Sequence, residues 1–196
     1  MKRISFKDSG GLNLTQAVLS GRKTMTRRIA YKGEIKNLNT GFFTEGKDKG
    51  RLALCESNFV VTKSQYGKGE VVAIQQAYRD VVRQDGEFPH LYFSNKAGWT
   101  NKMFVAASMM PHHIRITDVR VERLQLIPYE DCLREGVIRD VKLRLPRYYA
   151  RAVEIASTNG YTTARIAFVA LIDKVSGRGT WNSNPLVWAY SFELVD

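Results

Sequence analysis

Cationic side chains and hydroxyls are interleaved at residues 21–28, where the chain reads Gly-Arg-Lys-Thr-Met-Thr-Arg-Arg. A threonine hydroxyl is a weak nucleophile until a base takes its proton, and a lysine can be that base only when its pKa is lowered. Lys23 and Thr26 are three residues apart, and the arginines of the run supply a cationic field that disfavours the charged lysine. The run therefore predicts either a solvated turn or a site for an anionic or nucleoside-like ligand.

A carboxylate that could act with this run lies near the end of the segment 128–136. This segment begins with a proline, carries acids in its first turn and ends with a glycine, which together predict a short helix. Glu135, at its end, could orient a lysine, carry its proton or bind an exocyclic amine. Spacing alone also allows a bland interpretation, in which Lys23 is solvated, Thr26 bonds to backbone and Glu135 pairs with an arginine.

Further ligand-binding candidates come from side chains that can stack on a base or read its edge. Trp181 lies in a polar loop rich in Gly and Asn, so its indole could stack on a base, whereas Trp188 in an alternating segment is expected in the core. Asn184 precedes Pro185 and could read a base edge or simply begin a turn. The cations expected to contact an anionic ligand are Arg22, Arg27 and Arg28.

Metal and cofactor sites are not expected. His112 and His113 are adjacent, so in a strand they point to opposite faces, and the two cysteines lack paired spacing. Cysteine usage of this kind fits a reducing cytoplasm. No apolar run approaches the roughly 20 residues needed to span a bilayer, so we predict a cytoplasmic protein without a membrane partner.

The net charge of +11 is unevenly distributed along the chain. Residues 1–36 hold nine Lys or Arg and two acids, residues 134–151 hold six and two, and the rest of the chain sums to zero. If these two segments meet in the fold, they form a basic face that attracts polyanions through phosphate contacts. This predicts nucleic-acid binding, with the alternative that the charge only keeps the protein dissolved.

Hydrophobic periodicity predicts an α+β fold in a single domain spanning residues 1–196. Strands dispersed along the chain, with helices inserted late at about 139–175, favour a small β-barrel with helical decorations. Residues 31–50 are rich in Gly, Asn, Lys and Thr and are expected to form a loop. The predicted strands are 52–55, 59–61, 69–74, 113–124 with a kink near Asp118, and 188–194, and the predicted helices are 13–21, 128–136, 147–157 and 162–175. In the last of these helices an apolar stripe is expected to pack in the core, formed by Ala164, Phe168, Leu171, Ile172 and Val175.

Three segments together resemble the ASCH domain, the activating-signal-cointegrator homology module, in its phage or prophage type. The run at 21–28 fits the signature G-x-K-x-x-[E/T]-x-R. Residues 117–137 are similar to the central strand-then-helix of phage-type members, and residues 181–193 to their closing W-x-x-N-P-x-V-W segment. The matches lie near both ends and in the middle, in the right order, so the resemblance covers most of the chain.

The resemblance implies a barrel similar to PUA RNA-binding domains. Many family members are presumed RNA-binding modules, some are described as ribonucleases, and a small bacterial branch removes the acyl group of N4-acetylcytidine with a Lys, a Thr and a Glu. Lys23 and Thr26 match the K-x-x-T spacing of that branch, and Glu135 occupies the matching place of its glutamate. This chain is much longer than those minimal enzymes.

The function predicted from the sequence is binding of RNA or a modified nucleoside, with metal-independent hydrolysis of N4-acylated cytidine as a candidate reaction. The alternatives are a ribonuclease and a non-catalytic interaction module of a phage or mobile element. The hydrolase requires Lys23, Thr26 and Glu135 to converge around an open cavity. A binding module requires only a continuous basic groove.

Overall fold

The computed structural model describes residues 1–85, 97–141, 146–150 and 160–195, which form an α+β fold with three sheets. No described helix is long and apolar enough to cross a lipid bilayer. In chain order the strands and helices are β1 (Arg3–Ile4), α1 (Leu14–Leu19), β2 (Met25–Tyr31), β3 (Leu38–Phe42), β4 (Leu52–Glu56), β5 (Phe59–Lys63), β6 (Val71–Ile74), α2 (Tyr78–Asp85), β7 (His113–Arg123), α3 (Tyr129–Arg134), β8 (Ile138–Asp140), β9 (Arg147–Tyr149), α4 (Ala164–Ser176), α5 (Thr180–Ser183) and β10 (Leu186–Leu194).

The main sheet has the strand order β1-β6-β7-β10-β2, with β1 parallel to β6 and the other pairs antiparallel. Its longest strand, β7, buries Ile114 and Ile116 and then Val119, as the alternation predicts. The register against β10 shifts between Ile116 and Asp118, so one residue of β7 bulges there. The predicted kink near Asp118 is therefore confirmed, because the bulge returns the later apolar residues to the core face.

The prediction of a small closed barrel is not met. Closure requires hydrogen bonds between the two end strands of a sheet. Among the described residues, β1 and β2 are the ends of the main sheet, and β2 is hydrogen-bonded to β10 alone. Strand β1 has only two residues, too few to pair along the seven residues of β2. The free edge of β2 instead borders the cavity that contains the candidate site.

Two predicted elements are wrong in type. Within 31–50, expected to be a loop, β3 pairs with β4 and completes a three-stranded sheet with β5. In the predicted helix 147–157, β9 forms a two-stranded sheet with β8, and residues 151–159 lie outside the described part. Both errors arise because a short strand is stabilised by a partner strand that local sequence does not reveal. The insertion around 139–175 thus includes a strand pair as well as helix α4.

Helix α4 confirms the predicted apolar stripe. The hydroxyl of Thr163 caps the helix by accepting a hydrogen bond from the backbone N–H of Ile166 at 3.2 Å. Its buried face packs into the main hydrophobic core, which also contains Trp188 of β10. The buried residues of that face are Ala164, Ala167, Phe168, Leu171 and Ile172.

Candidate functional site

A cavity of about 1000 Å³ lies between the free edge of β2, the segment 5–9, residues 100–102 and helix α4. One wall is polar and is formed by Lys23, Thr26, Arg27, Arg28 and Glu135. The facing wall is apolar and is formed by Phe168, Leu171, Ile172 and Val175 of α4. A concave site that combines apolar side chains with convergent polar groups is the usual form of a small-molecule site, and this cavity is richer than usual in charged groups.

Lys23 is positioned by the turn that joins α1 to β2. Gly21 adopts a φ of +70°, in the left-handed region that ends helices, and reverses the chain. The backbone N–H of Lys23 then donates to the carbonyl of Ala17 at 2.8 Å, and that of Thr24 donates to the carbonyl of Arg134 at 2.9 Å. These two bonds attach the turn to both α1 and the end of α3, which carries Glu135.

Lys23 and Glu135 form a buried ion pair at the polar wall. The ammonium Nζ donates to Glu135 Oε2 at 2.8 Å, to the backbone carbonyl of Glu135 at 2.7 Å and to that of Met25 at 2.7 Å. Lys23 is 2% exposed and Glu135 is 4% exposed. Burial lowers the pKa of Lys23, although the charge of Glu135 and its hydrogen bond oppose this effect.

Gly136 follows Glu135 at the end of α3. Its φ of +107° ends α3 in a conformation that side chains rarely adopt. A Cβ at this position would lie 3.3 Å from the side chain of Leu14 and 3.6 Å from Cδ of Lys23. The backbone conformation is therefore what favours glycine here, since a Cβ would require only a small shift of the Leu14 side chain.

Arg27 lies at the centre of a buried cluster of acids. Its guanidinium donates to Glu122 at 2.8 Å, to Asp131 at 2.7 Å and to Glu135 at 3.1 Å. Burial acts to lower the pKa of Arg27, but the charge of Glu135 and the hydrogen bond to Asp131 outweigh it and raise that pKa. Although Arg27 borders the cavity, its donors bond within the fold, and its predicted ligand role gains no support from this geometry.

Asp131 gives this cluster a testable dependence on pH. Burial acts to raise the pKa of Asp131, but the hydrogen bond and charge of Arg27 outweigh it and lower that pKa. The stabilisation is therefore present above the unfolded pKa of about 3.9 and is lost as pH falls through the lower folded value. We expect Asp131→Asn to reduce the free energy of unfolding at neutral pH, with a smaller difference from the wild type in acid.

Urea unfolding at a series of pH values measures this effect. Asp118→Asn is the matched control, because Asp118 is half exposed and its contact with Arg120 is 3.8 Å long. If the free energies of unfolding of Asp131→Asn and the wild type change with pH in parallel, the lowered pKa of Asp131 is not what stabilises the cluster at neutral pH.

Thr26 and Arg28 present polar groups to the same wall, and the Nε of Arg28 is buried there without a partner. Thr26 lies opposite Tyr190 in the β2–β10 pair and is buried, and its hydroxyl has no hydrogen bond to a described residue. The Nη2 of Arg28 donates to the backbone carbonyl of Ser5 at 2.8 Å. Its buried Nε has no partner, and no described carboxylate pairs with its guanidinium. The nucleophile candidate and one cation are thus unpaired where a ligand would lie.

Three other predicted ligand residues lie away from the cavity lining. Arg22 is exposed and donates to the carbonyl of Gly136 at 2.9 Å. Trp181 packs edge-on against Phe168 with ring centroids 6.2 Å apart. The side-chain oxygen of Asn184 accepts from the backbone N–H of Gln125 at 2.9 Å. Their ligand roles remain predictions, and the contacts seen here stabilise the fold.

The two basic segments meet, as required for a basic face, but they meet through buried pairs. Thr24 bonds to Arg134 and Lys23 bonds to Glu135, so residues of 1–36 contact residues of 134–151. The two cations Lys23 and Arg27 are neutralised inside the protein and do not contribute to a surface field. Residues 142–145 and 151, which carry part of the second segment's charge, lie outside the described residues.

The sequence reasoning missed the residues that close the cavity opposite Thr26. The stripe of α4 was predicted as core only, yet Phe168 and Ile172 also border the cavity. Lys102 was not singled out at all, although its Nζ lies 2.9 Å from Asp8 at the cavity wall. No local signal could identify that pair, because its members are 94 residues apart in the chain.

Neither a metal nor a known relative identifies the site. In the described ranges no group of three His, Cys, Asp or Glu side chains is arranged to hold a metal ion. His113 begins β7, and neither it nor His112 borders the cavity. Compared with protein-family models, curated proteins and solved structures, the chain matches none.

Proposed function

We propose that this protein binds a modified nucleoside in the cavity and hydrolyses the amide of an N4-acylated cytidine. One observation carries the proposal: Lys23, Thr26 and Glu135 border the same cavity, with the lysine and the carboxylate 2.8 Å apart. A nucleophile, a base and an orienting group at one open site are the parts that acyl transfer needs. The apolar wall of α4 offers a surface for a base or an acyl group.

In the proposed reaction, Oγ1 of Thr26 attacks the acyl carbonyl while Lys23 in its neutral form takes the hydroxyl proton. The carbon–nitrogen bond then breaks as Lys23 returns that proton to the exocyclic nitrogen, which releases cytidine. Water attacks the resulting threonine ester, which frees the carboxylic acid and restores the hydroxyl. Glu135 orients Lys23 through their hydrogen bond, and the proton that the lysine must first lose passes to the solvent.

Protonation of Lys23 controls this mechanism. As an ammonium, Lys23 donates all three protons to Glu135 and Met25 and has no lone pair for Thr26. Burial lowers the pKa of Lys23, which favours the neutral amine that the reaction requires. The charge of Glu135 acts in the opposite direction, so this carboxylate sets the pH at which the base becomes available.

The pH profile of the hydrolysis tests this assignment. We expect kcat/KM for N4-acetylcytidine to rise with pH as Lys23 loses its proton, with an ascending limb below the ordinary lysine pKa of about 10.4. Glu135→Gln removes the charge that favours the ammonium, so the limb should move to lower pH while the maximal rate falls. An unchanged limb in Glu135→Gln would remove Lys23 as the titrating base.

The direct assay incubates purified protein with N4-acetylcytidine and detects cytidine by chromatography. Activity should persist in EDTA, because no step of the proposed reaction uses a metal ion.

A non-catalytic binding module is the second candidate function. It is favoured because all three protons of the Lys23 ammonium are donated to groups inside the fold. Binding of the nucleoside without release of cytidine would decide for that module, and cleavage of added RNA would decide for a ribonuclease.

We also propose that the chain is an ASCH domain related to PUA-like barrels. The support is that the signature residues Lys23, Thr26 and Arg28 lie together at the cavity wall, on β2 and the turn before it. The second match, residues 117–137, includes helix α3 and brings Glu135 into the same cavity. A shared site formed by two of the three resembling segments is what common descent predicts.

A further inference from the structure

A second depression, which we call the basic groove, adjoins the cavity. It has a volume of about 470 Å³ and lies between the end of β2 and the turn that joins α4 to α5. Ile29 and Ser176 border both the cavity and the basic groove, so the two are adjacent. A polymer with one unit in the cavity would therefore carry its neighbouring units past the groove.

Charge in the basic groove is of one sign. Lys32 and Arg178 border it, and no acidic residue does so. Both side chains are exposed, and neither has an ion pair or hydrogen bond to a described residue. The nearby carboxylate of Asp173 forms no ion pair with either cation, and its two oxygens accept from the backbone N–H groups of Gly179 and Trp181, each at 3.0 Å.

The cavity differs from the basic groove in the pairing of its cations. There Lys23 is paired with Glu135 at 2.8 Å and Lys102 with Asp8 at 2.9 Å. Arg28 is the cation on the polar wall that has no carboxylate partner among the described residues. Unpaired positive charge thus continues from the cavity wall into the groove, as a polyanionic ligand would require.

We infer that the basic groove binds the phosphates of a single-stranded polynucleotide, one nucleoside of which occupies the cavity. The occupancy of the cavity rests on the function proposed above. The groove supplies what a free nucleoside does not need: two unpaired cations and a shallow, open surface beside the pocket. Lys32 and Arg178 contact backbone phosphates, which favours a strand of any sequence and makes the affinity depend on salt.

The test measures binding of a fluorescent single-stranded RNA of about 12 nucleotides to the full chain by anisotropy. The groove variant combines Lys32→Glu with Arg178→Glu, and the control variant combines Lys68→Glu with Arg115→Glu. The control makes the same change in net charge at exposed residues that border neither the cavity nor the groove. Lys32→Gln with Arg178→Gln, which removes the charges without reversing them, should give an intermediate loss.

We expect the groove variant to bind the RNA at least about tenfold more weakly, and the control to lose less than about threefold. Loss of two phosphate contacts should also flatten the plot of log affinity against log salt by about 1.4, at about 0.7 per contact. Equal losses in the two variants would overturn the assignment of the groove. If cytidine monophosphate displaces the labelled RNA at the same concentration as unlabelled RNA does, the proposal that the ligand is a polynucleotide is overturned.

Failure of the proposed hydrolysis gives a different result. If the wild type releases no cytidine from N4-acetylcytidine, yet loses RNA affinity only in the groove variant, the groove assignment stands and the reaction fails. If cytidine is released but the wild type binds no RNA at low salt, the reaction stands and the groove assignment fails.

Discussion

Thr26→Val should lower kcat/KM for the release of cytidine from N4-acetylcytidine by at least about a thousandfold. Valine has nearly the shape of threonine but lacks the hydroxyl that attacks the acyl carbonyl. The hydroxyl of Thr26 has no hydrogen bond to a described residue, so its removal leaves no partner unsatisfied in that part of the fold. The melting temperature should therefore remain close to that of the wild type.

Thr26→Ser is the matched control, because it keeps the nucleophile and should retain measurable turnover. Nucleoside binding, measured by calorimetry, should change little in Thr26→Val, since the variant loses the reacting group and keeps the cavity. Lys23→Met is a less clear test, because it leaves the buried Glu135 without its ammonium partner. Wild-type turnover by Thr26→Val would exclude the threonine as nucleophile.

Arg27→Met should lower the free energy of unfolding by about 3–5 kcal/mol, the usual cost of removing one partner from a buried ion pair. Methionine fills part of the space but leaves Glu122, Asp131 and Glu135 without the guanidinium that compensates them. Urea unfolding at neutral pH measures the loss. The same substitution at Arg22, which is exposed and makes one bond to a backbone carbonyl, should cost about 1 kcal/mol or less.

A double-mutant cycle identifies the cause of that loss. Arg27→Met combined with Asp131→Asn should destabilise by less than the sum of the single changes, because the second change removes one of the carboxylates that lost its Arg27 partner in the first. Asp131 keeps Arg120 at 3.0 Å and Arg134 at 3.4 Å, so the coupling is partial. If the changes in the free energy of unfolding are strictly additive, or if Arg27→Met and Arg22→Met lower it equally, the stabilisation does not come from this cluster. Because Arg27 is buried among acids, reversing its charge would test the stability of the fold and not ligand binding. Nucleic-acid binding is better tested at Lys32 and Arg178.

Patterns that depend on near neighbours were predicted well. The long strand β7 with its bulge, the helix α3 that ends at Gly136 and the buried stripe of α4 all follow from alternation, helical spacing and end signals. These features are local, because the same few residues determine the periodicity and the face that must be buried. Trp188 was expected in the core for that reason, and it is buried there.

The strands that local pattern misjudged are those that depend on a distant partner. Strand β3 is exposed along its whole length and forms by pairing with β4, and β9 forms by pairing with β8. An exposed strand has no alternation of buried and exposed residues to reveal it. Whether the main sheet closes into a barrel is likewise a property of its two end strands, which no single segment encodes.

The sequence by itself determined which chemical groups are available: a lysine and a threonine three residues apart, a glutamate at the end of a short helix, and an excess of positive charge. Only the tertiary structure decided which of them act together. Lys23 meets Glu135 across 112 residues, Arg27 turns inward among acids, and Lys32 with Arg178 remains unpaired beside the cavity. The physical reason is that ionisation, burial and pairing depend on the neighbours in space, and the fold brings those neighbours from distant parts of the chain.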